Sequence, residues 1–384
     1  MLIMATLPQS QSRWTNAFLD PMRQTGDPLA DQAVGQVFAG GNIQSVNGLM
    51  QTLVENDGLV PESLPAAIRD YLAASGQLPE WADPALIRTG EQIFWRYGPQ
   101  VIANLFCYSL PFCYAARKGV QVLWLTSRLY SNPTRRIIET AQAVVDVMQA
   151  GGLAPGGTGV RTAQKVRLMH AGVRYQIKAY QGWNPDFGTP VNQEDLAGTL
   201  LSFSWVVIDG LRRLGFPLTP AEQEAYLHSW KVVGHILGIR PDLIPSDVAD
   251  AGALAQTIQH RQYAACPEGQ GMAAALVGMM QQYVPGNLFD RTPAALIRYL
   301  LGDAHSDLLA IERTPAAEVL FEPLRSIDRI LNQDLHAQAP VARLAEIFSR
   351  KLIDGLLWVA RGGKRIPFTI PTELRQAWGV NWTA

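Results

Sequence analysis

Residues Lys165–Ile177 read KVRLMHAGVRYQI. At about 100° per residue, Val166, Met169, Val173 and Ile177 fall on one apolar arc, the pattern of a helix with one core-facing side. His170 lies at the edge of that arc. Arg167 and Arg174, three residues before it and four after, sit just beyond the edge. One face thus presents Arg, His and Arg in register along the border of the core. The set suits a planar macrocycle with an iron centre: the imidazole would bind iron and the guanidiniums would pair with its carboxylates. The same spacing also suits a helix-edge histidine between solvated arginines.

Helix signals continue on both sides. Asn132-Pro133 precedes TRRIIETAQAVVDVMQA, which stops at Gly151-Gly152. A cap residue, a proline at the first helical position and glycine after the end are the expected punctuation. Thr219-Pro220-Ala221-Glu222 is a capping box opening EQEAYLHSWKVVGHIL, in which the threonine hydroxyl takes an orphan N–H and the glutamate reaches back. Further helices are expected around 162–180, 194–214, 249–263, 272–283, 293–301 and 342–361. AGGLAPGGTGVR and Gln181–Gln193 read as loops. Strand patterns are few: VQVLWL near Val120–Leu125 and RIPFTI near Arg365–Ile370. The chain reads as an all-α single domain over residues 1–384, with a core at about 85–305 and extended terminal arms at 1–84 and 306–384.

Composition agrees with a large core. Of 384 residues, 48% are hydrophobic and only 17% charged, against ~25% charged in an average soluble domain. Basic and acidic residues number 32 and 33, which lacks the basic footprint of a nucleic-acid binder. Three cysteines (Cys107, Cys113, Cys266) with no CxxC argue against a disulfide scaffold or zinc ribbon. The start, MLIMATLPQSQSRW, lacks a basic n-region and a long apolar h-region, so a cytoplasmic location is expected. The longest uncharged run, Gly98–Ala116, contains Gln100, Asn104, Ser109 and Pro111, and is expected to be a buried core helix rather than a transmembrane span.

No GxGxxG follows a strand, and APGGTGV lacks the lysine of a phosphate loop. HExxH and GxSxG are absent. RGGKR (Arg361–Arg365) suits a solvated helix end. Of six histidines, His228 and His235 stand seven apart on one helix face. Their axial offset of about 10.5 Å, at ~1.5 Å per residue, is too long for both to hold one metal; they fit supporting or core roles. Arg136, Glu139 and Thr140 share one side of their helix. That side suits binding and protonation of an oxygen ligand, and equally a solvated face.

Four blocks in this order carry a resemblance: RRxxxT at Arg135–Thr140, RLMHAGVR at Arg167–Arg174, NQEDLAGTLLSF, and the histidine pair in YLHSWKVVGHILG, with RYLLGD (Arg298–Asp303) downstream. Together they resemble the latex-clearing protein (rubber oxygenase)/MpaB-type oxygenase family over roughly residues 117–303. The resemblance implies a globin-like helical core holding haem b, with His170 as the iron ligand. It places Arg167, Arg174 and Arg298 in the haem environment, His228 and His235 as supports of the pocket, and Arg136 and Thr140 on the distal side. The family has lysine immediately before the distal threonine; this chain has Glu139. The family's catalytic carboxylate lies near the segment that here reads ARKGVQVLWL, which has none. The expected activity is haem-dependent oxygenation, with O2, of a carbon–carbon double bond in an apolar small molecule or polymer. Glu139, Arg136 and Thr140 are the expected catalytic residues. A non-catalytic haem or gas-sensing protein and a haem-free helical interaction protein are the alternatives.

Overall fold

The computed structural model describes residues 13–39, 64–128, 133–179, 182–283 and 290–313, with residue 347. Every extended regular element among them is helical. In chain order these are α1 (Asn16–Gln24), α2 (Pro28–Ala39), α3 (Ala66–Ser75), α4 (Pro84–Arg96), α5 (Gly98–Asn104), α6 (Leu110–Tyr114), α7 (Val120–Arg128) and α8 (Pro133–Met148). They continue with α9 (Thr158–Ala179), α10 (Gln193–Phe203), α11 (Trp205–Arg213), α12 (Pro220–Ile236), α13 (Val248–Gln262), α14 (Pro267–Tyr283), α15 (Thr292–Leu301) and α16 (Asp303–Leu308). The all-α expectation holds. RIPFTI, RGGKR, His336 and the helical run 342–361, apart from residue 347, lie outside the described residues.

The expected strand at Val120–Leu125 is instead the first part of α7. Val120, Val122 and Trp124 are strand-favouring residues, but local β-propensity is a weak prior that packing overrides. In the helix, Val122 packs with Val173 and Ile177 of α9. The expected helix around 194–214 is two, separated at Ser204, whose hydroxyl donates to Leu200 O at 2.9 Å.

The ends follow the sequence chemistry. At α12 the Thr219–Glu222 capping box forms in full. Gly238, just past that helix, takes φ +79°, and a Cβ there would stand 2.5 Å from the Arg167 guanidinium. Glycine is required on both counts.

The uncharged run forms α5, a π-helical turn at Leu105–Ser109, and α6. Gln100, Asn104 and Ser109 are buried, as expected of a core helix. Among the described residues no helix is long and apolar enough to cross a membrane.

Helix α9 is buried along opposite sides. Leu168 and Ala171 join a cluster with Ala30, Val34, Ile68 and Leu72 of α2 and α3, and Phe38 stacks on Tyr175 at 4.4 Å. So α2 and α3 are folded onto α9, while Trp14, and Leu19 and Met22 of α1, join the main core. The other side of α9 faces the main core.

Candidate functional site

That other side opens onto a cavity of about 350 Å³. Val166, Met169, His170 and Val173 line it at i, i+3, i+4 and i+7, which is the arc read from the sequence with its edge histidine. From α8, Glu139 and Thr140 line the same cavity; Glu139 is 8% exposed. Most of the remaining wall is apolar, as in small-molecule and cofactor sites generally. Phe106 and Ser109 of the π-helical turn belong to it. Single π turns widen a helix locally and recur at functional sites.

Three of the expected site residues, His170, Glu139 and Thr140, therefore meet in one chamber. The Arg136 side chain lies outside the described residues. The others do not line the cavity and have partners elsewhere. Arg167 pairs with Asp27 (Nε–Oδ2 2.6 Å, Nη2–Oδ1 2.8 Å) and donates to Ile236 O at 3.1 Å. Arg174 pairs with Asp31 at 2.7 Å and donates to Val191 O at 2.9 Å. In this arrangement the carboxylates paired with the two arginines come from the start of α2 and the turn before it.

His228 accepts the Asp83 N–H on Nε2 at 2.9 Å, at the start of α4. Trp81 meets the rings of His228 and His235 edge-on, at 5.7 and 6.3 Å. Burial holds both imidazoles below their ordinary pKa; Lys231 adds to this for His228 and Arg167 for His235. Arg298 joins Asp303 (2.7 Å), Asp307 (2.6 Å) and the carbonyls of Glu312 and Ile311. It ties α15 to the segment that follows.

The sequence reading missed a second group of polar wall residues: Glu194 and Asp195 at the start of α10, Gln262 and Tyr263 at the end of α13, and Cys113. Only the first two lay in a quoted motif. Glu194 is fully buried and receives Arg261 at 2.8 Å, Gln262 at 3.1 Å and Arg23 at 3.5 Å. Burial raises the Asp195 carboxyl, against the opposing effect of Arg23 at 3.0 Å. Burial pushes the Cys113 thiol up to about 11, so it stays protonated and is no nucleophile at neutral pH.

Comparison with known proteins fits this geometry. The family model described as ER-bound oxygenase mpaB/B′/rubber oxygenase, catalytic domain, matches residues 109–333. A rubber oxygenase of Streptomyces sp. (strain K30) is 28% identical over 370 residues, covering 95% of this chain and 89% of that protein. The solved structure of latex clearing protein LCP in the closed state is similar with a TM-score of 0.76 at 27% identity, covering 91% of this chain and 94% of that one.

Proposed function

The chain belongs to the mpaB/B′ and rubber oxygenase family of oxygenases, and from that premise we propose that it is a haem b-dependent enzyme that oxygenates a carbon–carbon double bond of an apolar substrate with O2. One observation carries the reading. A single largely apolar chamber gathers an imidazole from α9 and a carboxyl and a hydroxyl from α8.

The donor set fits the cofactor. Among the described residues no group of three His, Cys, Asp or Glu side chains is placed to hold a metal ion. His170, which lines the chamber, would hold the haem iron with its imidazole, the one ligand a haem takes from the protein in globins and peroxidases. Haem b held there supplies the binding and activation of O2, chemistry that no side chain carries. The chain's own residues do the rest. The ion pairs of Arg167 and Arg174 fix the helix that carries His170. The apolar wall excludes water and accepts a hydrocarbon. Glu139 holds a proton or releases it within the chamber, and the Thr140 hydroxyl can donate to or accept from an oxygen atom there. The apolar wall suits an unsaturated hydrocarbon, either a small molecule or one segment of a polymer such as the rubber of the relative's name.

The test is the absorption spectrum of the purified protein, as isolated and after dithionite. A Soret band that His170→Ala removes, together with O2 consumption on adding an unsaturated apolar substrate, is the expected result. No Soret band after expression with ample haem would overturn the reading. A Soret band with no O2 consumption would make the protein a haem binder or gas sensor instead.

A further inference from the structure

Three carboxyl residues line the chamber, Glu139, Glu194 and Asp195, and among the described wall residues there is no lysine or arginine. Glu194 is saturated: it receives Arg261 at 2.8 Å, Gln262 at 3.1 Å and Arg23 at 3.5 Å. Asp195, in the first turn of α10, has a lighter set. Arg23 meets its Oδ1 at 3.0 Å, and the Asn192 amide donates to its Oδ2 at 2.7 Å. Both guanidiniums are shared. Arg23 serves the two carboxylates and the Phe187 carbonyl, and Arg261 serves Glu194, Asn16 and Asp20. Asp195 is therefore the less compensated of the two adjacent charges.

It is also the accessible one. The Asp195 side chain is 17% exposed, against 5% for Arg23 and 0% for Glu194. Burial is nonetheless the largest influence on its acidity, so the surface it shows is turned to the chamber and not to bulk solvent. Wall residues from three parts of the chain bracket the carboxylate. A Cβ on Gly119 would stand 3.0 Å from Oδ1, so glycine there leaves the carboxylate uncovered. The Cys113 thiol of α6 feels the Asp195 charge. Thr199, one turn further along α10, is exposed. Its hydroxyl donates to the Asp195 carbonyl at 2.8 Å, and its oxygen can still accept.

We infer that Asp195 anchors the protonated amine of an otherwise apolar, unsaturated substrate in the chamber. A carboxylate that faces a low-dielectric volume attracts a cation more strongly than it would in water, and the N-terminal end of α10 favours its charged form. An ammonium supplies the opposite charge together with donors, and Thr199, on the same helix face, offers a further acceptor. A hydroxyl supplies one donor and no charge. A carboxylate or phosphate meets three carboxyl residues and no cationic one among the described wall residues. A pure hydrocarbon leaves the carboxylate against an apolar volume, which is costly. The remainder of the ligand is apolar because most of the wall is. The inference rests on the proposed function and deepens it, since it names the substrate class of the same chamber.

The full-length protein, with whatever cofactor it carries as isolated, is titrated calorimetrically at neutral pH with cis-4-decen-1-amine, cis-4-decen-1-ol and cis-4-decenoic acid. The amine is expected to bind about tenfold tighter than the alcohol, the worth of a charge-assisted over a neutral hydrogen bond, and the acid weakest of the three. Asp195→Asn keeps the shape and removes the charge. It should bring the amine down to the affinity of the alcohol and leave the alcohol unchanged. Gly119→Ala, which covers Oδ1 without altering any charge, should lower the amine's advantage as well, and it decides alone if Asp195→Asn does not fold. Equal affinities for amine and alcohol in the unaltered protein would overturn the anchor. A preference for the amine that survives in Asp195→Asn would overturn it too, and a shifted Soret band would then assign the amine to the iron. Equal loss of amine and alcohol in both variants would overturn it as a structural effect. O2 consumption with an alkene but no preference for the amine defeats the anchor alone. An Asp195-dependent preference in a protein with no Soret band defeats the haem reading alone.

Discussion

Arg167 forks onto Asp27, Nε to Oδ2 at 2.6 Å and Nη2 to Oδ1 at 2.8 Å, three residues before the histidine that faces the cavity. The two side chains are 10% and 3% exposed. Charge-assisted forks of this kind fix geometry as well as adding attraction. Removing one partner leaves a buried charge uncompensated, at a cost of roughly 3–5 kcal/mol. Asp27→Ala should therefore lower unfolding stability by about 3 kcal/mol in urea titrations. A loss below about 1 kcal/mol would mean that the pair does not brace α9.

Glu139 is the carboxyl of the chamber wall that α8 contributes. Glu139→Gln keeps its shape and removes its proton exchange. Haem content should stay the same, while O2-dependent turnover falls by about 10²–10⁴, the usual worth of a positioned acid–base group. Full turnover with an unaltered pH profile would refute the role of Glu139 and leave the haem assignment standing.

Much of this architecture was legible in the sequence because it is written in short-range chemistry. The Thr219–Glu222 box, the apolar arc of Val166, Met169 and Val173, and the glycine after α12 each act within a few residues. The interactions that determine what surrounds the site are long-range. Arg167 and Arg174 find Asp27 and Asp31, 140 and 143 positions away, and nothing in the spacing of either segment announces the pairing. The same holds for Gln262 and Tyr263, which have no motif. Their place in the wall comes from a bridge to residue 116. At Val120–Leu125 a local signal was present but misleading, because burial against α9 selects a helix.

Helices α4 and α12 pack closely at Gly90. A Cβ there would stand 3.0 Å from Ala225 O and 3.2 Å from Ser229 Cβ, with the Ser229 hydroxyl closer still. Backbone cannot yield as a flexible side chain can, and overpacking of this kind costs about 1–3 kcal/mol. Gly90→Ala should lower the Tm, although alanine is the better helix former. A raised Tm would show that the two helices separate without cost.

His228 links stability to pH through a hydrogen bond that only the neutral ring can accept. Its Nε2 takes the Asp83 N–H at 2.9 Å, so protonation there removes the acceptor and leaves the N–H unpaired. Burial, then the charge of Lys231, depress its pKa below 6.5, with Asp83 opposing. A depressed histidine binds its proton more weakly in the folded state than in the unfolded one. Stability therefore falls as pH drops. The contribution of His228 is fully present above 6.5 and is lost as pH falls from there through the folded value. His235 and His305 are depressed as well and add to the same trend, whereas Asp195 and Glu91, both raised, oppose it. The comparison that isolates His228 is therefore between variants. Thermal melts at about pH 7.5 and about pH 5.5 should show a Tm drop that is smaller in His228→Gln, whose amide oxygen can accept the Asp83 N–H at either pH. An equal drop in both proteins would mean that the His228–Asp83 contact carries none of the acid sensitivity.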